Sequence, residues 1–421
     1  MGAGSRLRIG LVLCALAVAV AALILASPTL VRPAESDAGP RTREDVRLVT
    51  VDDHEPRLWA YTSRQKDFGT ATLPMNVVVE ADAATTRRVI AADADRNWTA
   101  EDPEGESVVL NGSGVAWSDT RGATRYTYVA YGDDPGEDGR WMDETAQLHD
   151  GSYLGARMHA RLYEVQNGDR PLTMVQAHHE HWDWFRLRHT VGSVARGQYA
   201  IEHEFYGTGV VSDMRRARFG NGGASDADGW VTVVEVMDWP VPDDEFAVAG
   251  LSLGLLLVGA RRATVTAALR AVAERRQATT AHAALVTIPL LTPLVIRVVA
   301  VELERALPAL SPKVIAAPCY LVLAVGLPVA VGLLGRRLPA DEAFTAAVGG
   351  FGVGLLLDYA SLGLSALTIE VVAHRAVLLV GLGLIAAGGV RWAETPVHRY
   401  RYRAPGILVW TGALVWPLAG L

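Results

Sequence analysis

Long apolar segments constrain this chain more than any other feature. At about 1.5 Å of helix per residue, seven of them approach or exceed the ~30 Å hydrocarbon layer of a bilayer. They are residues 9–26, 246–260, 281–301, 314–335, 344–367, 376–390 and 405–421. The sequence therefore predicts an integral membrane protein with about seven transmembrane helices, and a separate domain in the polar block between the first two.

The first apolar segment, residues 9–26, contains 18 residues without a charge and follows Arg6 and Arg8. This pattern indicates an N-terminal transmembrane anchor within residues 1–32. The alternative is a cleaved signal peptide, whose apolar region is usually shorter and ends in an A-x-A-like site. The stretch "LILASPT" supplies no such site, so the anchor is the preferred interpretation.

Basic residues predict the orientation of the helices. Arginines follow the second, fourth and sixth apolar segments, and the positive-inside rule places these loops in the cytoplasm. They are Arg261, Arg262, Arg270, Arg275 and Arg276, then Arg336 and Arg337, then Arg391, Arg399, Arg401 and Arg403. We therefore expect the N-terminus in the cytoplasm, and residues 33–245 and the C-terminus outside.

Charge divides the chain in the same place. Residues 33–245 hold 38 acidic and 21 basic side chains, net −17, whereas the remaining residues are net +10. Only two lysines occur beside 37 arginines. An acidic external domain poor in lysine is typical of proteins in very salty media, where screening removes self-repulsion. This composition predicts a halophilic source.

The external block divides into a polar tether, 33–56, and a folded domain, 57–245. Alternating patterns predict strands in "LWAYTSR", "LPMNVVVEA", "TRYTYVAY", "ARMHARLYEV", "LTMVQAHHEHW" and "WVTVVEVMDW", and "DAATTRRVIAA" predicts a helix. The predicted fold is an α+β domain, mainly antiparallel sheet, followed by a six-helix transmembrane bundle at 246–421. Because Cys14 and Cys319 fall in apolar segments, the domain is expected to fold without a disulfide.

The stretch "HHEHWDWFRLRH" at 178–189 carries the densest set of titratable side chains. On a strand, His179, His181 and Asp183 share one face, and His178, Glu180, Trp182 and Trp184 share the other. Two histidines at this spacing can bind one zinc ion with an aspartate as third ligand, and zinc is the only cofactor that the sequence suggests. The chemistry would be metal-activated water.

A structural interpretation competes with the zinc site. If "FRLRHTV" and "QYAIEHEFY" form a hairpin, Arg186 faces Glu204 and Arg188 faces Glu202 as a ladder of paired charges. The histidines are then polar members of a solvated acidic sheet. This interpretation is favoured because spacing alone identifies no fourth ligand.

Two charged residues fall inside predicted helices, where charge is costly. Arg297 and Asp358 both lie toward the outer leaflet by residue count and are predicted to pair. A structural bridge between packed helices is favoured over a transport path. Gly350 and Gly354, at GxxxG spacing, predict close helix packing.

Several stretches carry a resemblance to a known family: "LWAYTSR", "TLPMNVVVEADAATTRRVI", "MHARLYE" and "HHEHWDWFRLRHTV". The chain resembles an uncharacterised family of multi-pass membrane proteins from halophilic archaea, and its external part is similar to the LssY C-terminal domain. The resemblance covers roughly residues 57–207. It implies an extracytoplasmic domain without an established activity and carries over no catalytic residue.

These observations favour a membrane protein whose external domain serves binding, sensing or envelope maintenance. A metal-dependent hydrolase using His179, His181 and Asp183 is the enzyme alternative, and a transporter ranks third. The lipid bilayer is the expected partner, nucleic acid is not, and the ligand and oligomeric state are left open by the sequence.

Overall fold

The computed structural model of the protein describes most of the polar block and most of the C-terminal helices. The described residues are 31–32, 46–51, 56–92, 98–101, 124–131, 139–167, 170–206, 208–223, 225–237, 278–364, 367–389 and 396–419. The predicted apolar segments at 9–26 and 246–260 lie outside these residues.

Strands dominate the polar block. The first nine are β1 (Val31–Arg32), β2 (Leu48–Val49), β3 (Arg57–Trp59), β4 (Tyr61–Ser63), β5 (Ala71–Pro74), β6 (Val77–Glu80), β7 (Thr99–Glu101), β8 (Tyr126–Ala130) and β9 (Gly139–Asp143). The next six are β10 (Ala146–Gly151), β11 (Ala156–Val165), β12 (Leu172–Asp183), β13 (Arg188–Ser193), β14 (Val211–Arg218) and β15 (Trp230–Val236). Strand β16 (Leu367–Thr368) lies between two C-terminal helices and pairs in parallel with β1.

Two mainly antiparallel sheets form the domain. The larger runs in the order β14-β15-β6-β12-β11-β10-β7, with β13 beside β12, and its one parallel pair is β6 with β15. The smaller runs in the order β2-β3-β8-β4-β5, with β9 beside β8. Strand β2 lies within 33–56, so the segment predicted as a tether contributes a strand to the smaller sheet.

The larger sheet is covered on both faces, and β6 shows why. Val78 points into a core shared with Trp59 and Tyr61 of the smaller sheet. Its neighbours Val77 and Val79 point the other way, as the period of two requires. There they meet helices α1 (Ala83–Ala92) and α2 (Val194–Phe205), which cover the opposite face. The strands predicted in the six stretches from "LWAYTSR" to "WVTVVEVMDW" and the predicted helix α1 are confirmed.

Helix α2 replaces a predicted strand. The side chain of Ser193 accepts a hydrogen bond from the Arg196 N–H at 3.0 Å, which caps the helix. The buried residues Val194, Ile201 and Phe205 recur at helical rather than alternating spacing. The hairpin predicted for "QYAIEHEFY" is therefore wrong, and the ladder of Arg186 with Glu204 and Arg188 with Glu202 does not form.

The C-terminal part consists of helices α3 (Ala278–Ala306), α4 (Pro312–Leu321), α5 (Leu327–Leu334), α6 (Ala340–Ser361), α7 (Ile369–Ala387) and α8 (Pro396–Val415). A π-helical turn at Val322–Gly326 joins α4 to α5. Large apolar side chains point outward, including Val298 at 61% exposure and Leu408 at 73%. Such an apolar exterior suits lipid rather than water.

Four helical stretches are long and apolar enough to cross a membrane: Thr280–Ala306, Pro312–Arg337, Ala340–Ser361 and Ile369–Ala387. They coincide with four predicted segments, so the predicted total of seven is not supported by the described residues. The segment predicted at 405–421 corresponds to α8, which begins earlier. Its first half contains Arg399, Arg401 and Arg403, which interrupt the apolar run.

Gly350 and Gly354 lie where α6 crosses α3. A Cβ atom at Gly350 would lie 2.3 Å from the Val286 carbonyl oxygen, and one at Gly354 would lie 2.4 Å from the Leu290 carbonyl oxygen. The two backbones can approach this closely only because both residues lack a side chain. The close packing predicted from the GxxxG spacing is confirmed.

We expect Gly354→Ala to lower the stability of the helices by about 1–3 kcal/mol, because the new methyl group forces the helices apart. The matched control is Gly349→Ala in the same helix, where no described atom lies within 4 Å of the added Cβ. Alanine there should be neutral or gain up to about 1 kcal/mol from helix propensity. Thermal unfolding of the protein in detergent measures both, and equal Tm changes would contradict the packing.

Candidate functional site

Three histidines form a row across the larger sheet. The register places His149 of β10 opposite His159 of β11, and His159 opposite His178 of β12. The His149 and His159 rings stack with centroids 4.3 Å apart, and the His159 and His178 centroids are 4.9 Å apart. All three side chains are buried. They lie on the face that carries the smaller sheet, because Tyr163 of that core follows His159 at an even spacing on β11.

Glu180 stands one position further along this face. The Nε atom of Arg157 donates to its Oε1 atom at 2.6 Å, and His178 Nε2 lies 3.2 Å from Oε2. The Nδ1 atoms of His159 and His189 lie 3.8 Å and 4.0 Å from Oε1. We call His149, His159, His178, Glu180 and His189 the histidine face.

Burial sets the protonation states of the histidine face. It lowers the pKa of His149 to about 3 and that of His189 to about 4. It also holds the pKa of His159 well below 6.5. Burial alone would raise the pKa of Glu180, but His159, His178 and Arg157 hold it well below its usual value. At neutral pH the face therefore presents neutral imidazoles around a carboxylate.

A second polar layer lies behind the histidine row. Both Arg161 Nη1 and Gln147 Nε2 donate to the carboxylate of Glu144. The other end of the Gln147 amide, Oε1, lies 3.1 Å from His159 Nε2. These contacts fix the orientation of the Gln147 amide and, through it, the His159 ring.

The structure brings together a different set of ligand atoms from the one predicted. In the part of the chain that the structure describes, one group of metal-binding side chains has its ligand atoms within 4.8 Å of one another: His149, His159 and Glu180. The predicted ligands His179, His181 and Asp183 point to the opposite face of β12 and form no such group. The sequence did predict that Glu180 and His178 share a face, but the partners on β10 and β11 depend on strand register.

Asp183 is bound to a helix instead. Arg375 Nη2 of α7 donates to its two carboxylate oxygens at 2.5 and 2.6 Å, and the Phe185 N–H donates to Oδ1 at 2.9 Å. The Arg375 guanidinium also lies 4.4 Å from the centroid of the Phe185 ring. Sequence analysis missed Arg375 because it lies in a stretch assigned to a loop, before the segment 376–390.

Arg297 and Asp358 form the second ion pair. Arg297 donates to Asp358 through Nε at 2.5 Å and through Nη2 at 2.8 Å. Its Nη1 donates to the Leu154 carbonyl oxygen at 3.0 Å and to that of Trp182 at 3.2 Å. A bidentate guanidinium thus joins two helices and also binds the backbone of the sheet domain.

Glu304 completes the contact between the two parts. Its carboxylate accepts hydrogen bonds from the backbone N–H groups of Tyr153 and Leu154 at 2.6 and 2.9 Å. We call Asp183, Arg297, Glu304, Asp358 and Arg375 the junction. The end of β12 and the loop before β11 are thereby fixed to α3, α6 and α7.

No family model, no curated protein and no solved structure matches the chain. The resemblance to the LssY C-terminal domain and the halophilic source therefore stay predictions. The roles of the histidine face and the junction rest on their geometry.

We expect Asp183→Asn to destabilise the protein by about 3–5 kcal/mol, since it leaves the buried Arg375 without its counter-ion. Urea unfolding of the full chain in detergent gives the change in free energy. The double variant with Arg375→Gln should lose less than the sum of the two single variants, because they share one interaction. The exposed pair Lys66–Asp143, at 3.2 Å, is the control and should contribute at most about 1 kcal/mol. Additive losses at Asp183 and Arg375 would contradict the coupling.

The same pair predicts a pH dependence. Burial alone would raise the pKa of Asp183, but Arg375 and the Phe185 N–H lower it to about 2, against about 3.9 in an unfolded chain. The carboxylate's contribution is therefore complete above about pH 5 and is lost as the pH falls through 2. The difference in unfolding free energy between the native chain and Asp183→Asn should stay constant from pH 7 to 5 and shrink toward pH 2. A constant difference down to pH 2 would rule out this linkage.

Proposed function

We propose that this chain is a membrane-embedded binding and sensing protein. Its sheet domain, placed outside the cell by the arginine distribution, binds a ligand at the histidine face. The occupied state is transmitted to the transmembrane helices through the junction. One observation carries the proposal: a single strand, β12, holds His178 and Glu180 of the histidine face and ends at Asp183 of the junction.

The distance between the two sites is short. At about 3.3 Å per residue, Glu180 and Asp183 are about 10 Å apart along the strand. Every residue of β12 is buried, and both edges of the strand pair with neighbours. A displacement at Glu180 is therefore passed along β12 more readily than it is absorbed by loop movement.

The junction contacts lie at one end of the helices. Arg297 and Glu304 are near the C-terminus of α3, Asp358 is near the C-terminus of α6, and Arg375 is in the second turn of α7. The opposite ends carry Arg336 and Arg337. This asymmetry supports an arrangement in which the sheet domain lies outside and the arginine-rich loops lie inside.

Buried charges make the junction responsive. Asp183 meets Arg375, and Arg297 meets Asp358 and the Trp182 carbonyl oxygen, in one relative position of strand and helices. Separating a buried ion pair costs several kcal/mol. Moving the end of β12 therefore requires α3 or α7 to move with it. This behaviour is what a sensor needs and what a rigid tether lacks.

A perturbation of the histidine face tests this coupling without knowledge of the ligand. In Glu180→Gln, a neutral amide of the same shape replaces the carboxylate, and Arg157 loses its counter-ion. We expect hydrogen exchange in full-length protein in lipid nanodiscs to accelerate about tenfold, equal to about 1.4 kcal/mol less opening energy, at residues 153–155 and 358–364.

The control variant is Glu235→Gln, at a half-exposed site on β15, which β6 separates from β12 in the sheet order. Protection in β6 and β15 reports whether the domain stays folded in both variants. If exchange becomes faster only in β11 and β12 while the exchange rate at the helix ends stays the same, the proposed sensing role is contradicted.

A further inference from the structure

The hydrogen bonds of His159 fix which of its ring nitrogens carries the proton. Because Gln147 Nε2 donates to Glu144, Gln147 Oε1 is the atom that lies 3.1 Å from His159 Nε2. An amide oxygen only accepts, so Nε2 is the protonated nitrogen. His159 Nδ1 therefore has a free lone pair, and it faces Glu180 Oε1.

His189 repeats this arrangement from a neighbouring strand. Its Nε2 atom lies 2.9 Å from the Tyr153 carbonyl oxygen, which can only accept a hydrogen bond. The proton is therefore on Nε2, and Nδ1 presents a lone pair toward Glu180 Oε1 at 4.0 Å. The distances from Glu180 Oε1 to Nδ1 of His159 and of His189 are 3.8 and 4.0 Å. Both exceed hydrogen-bond distance.

The Nδ1 lone pairs of His159 and His189 thus face Glu180 Oε1, the atom to which Arg157 Nε also donates. A ligand atom of His149 lies within 4.8 Å of those of His159 and Glu180. Electron pairs that face one another in a low-dielectric interior are unfavourable unless a cation lies between them.

We infer that the histidine face binds a divalent first-row transition metal, with zinc as the leading ion, through His149, His159 and Glu180, and with His189 beside it. The inference rests on the proposed function and names the ligand that the sheet domain senses. A donor set of two imidazoles and one carboxylate favours zinc, cobalt, nickel and copper over magnesium and calcium. Ligand atoms around a tetrahedral zinc lie about 3.3 Å apart, so ligation requires inward movements of about 1 Å or less.

The surroundings of the site match those of metal centres. Ligating histidines characteristically donate their second ring N–H to a carbonyl or carboxylate. Here the His159 N–H goes to Gln147 and the His189 N–H to the Tyr153 carbonyl. The Tyr153 N–H in turn donates to Glu304 of the junction. The second layer of the metal site thus leads directly to α3.

Arg157 gives the inference a distinctive consequence. Its guanidinium compensates Glu180 at 2.6 Å and repels a second cation nearby. Removing this charge should therefore strengthen metal binding, by about tenfold for a pair at this range and partial screening. A variant that merely loses its fold cannot gain affinity, so an increase in Arg157→Gln is specific to a cation site.

Cobalt titration of the full chain in detergent, stripped with chelator and dialysed, tests the inference. We expect one Co²⁺ per chain, with visible absorption from nitrogen and oxygen ligands, and displacement by one equivalent of Zn²⁺. His159→Ala should weaken binding at least about 100-fold, and Gln147→Leu about 10–100-fold. His179→Ala and His181→Ala, on the opposite face of the sheet, are matched controls and should bind as the native chain does.

Absence of Co²⁺ and Zn²⁺ binding by the native chain would overturn the inference, and so would a loss in His179→Ala or His181→Ala equal to that in His159→Ala. These outcomes are distinguishable from failure of the proposed function. The hydrogen-exchange comparison with Glu180→Gln is made without added metal. Coupling in that experiment together with no metal binding would therefore indicate a sensor of another ligand. Metal binding without coupling leaves a metal site in a domain that is not a sensor.

Discussion

The pairing of Asp183 with Arg375 is the interaction on which the rest of the structure depends. A buried carboxylate at the end of a strand is tolerable only with its counter-ion in place, and that counter-ion belongs to α7. Arg297 reinforces the contact, because one guanidinium binds both Asp358 and the carbonyl oxygens of Leu154 and Trp182. The position of the sheet domain relative to the helices follows from these charges rather than from apolar packing alone.

The histidine face and the junction use β12 in opposite ways. On one side of the strand, neutral imidazoles surround Glu180, and their remaining hydrogen bonds are made within the sheet domain. On the opposite face, at the end of the strand, Asp183 binds the guanidinium of Arg375 in helix α7. A strand that is buried along its whole length can join two such sites without a hinge, and this is the physical basis of the sensing role that we propose.

Alternation along the chain predicted most strands and the division of residues 178–183 between two faces. Helical spacing predicted α1, and the GxxxG spacing predicted the glycine-mediated helix packing. Alternation could not predict the metal-binding partners. His149 and His159 are far from Glu180 in sequence, and they reach it only through the register of β10, β11 and β12. Helix α2 was missed because "QYAIEHEFY" also alternates, although Ser193 supplies a capping signal. Arg375 was missed because its charge argues against a helix interior until Asp183, 192 residues away, is known to neutralise it.

The same separation in sequence has a consequence for synthesis. At about 5–20 residues per second, roughly 10–40 s pass between the translation of Asp183 and that of Arg375. Within that interval the strands of both sheets are translated, while Trp184 and Phe185, which pack among the helices, await the last of them. The nascent domain must therefore hold an uncompensated carboxylate beside exposed aromatic rings until the last helices arrive. Transiently exposed apolar surface of this kind is prone to aggregation, so the order of translation is part of how this protein assembles.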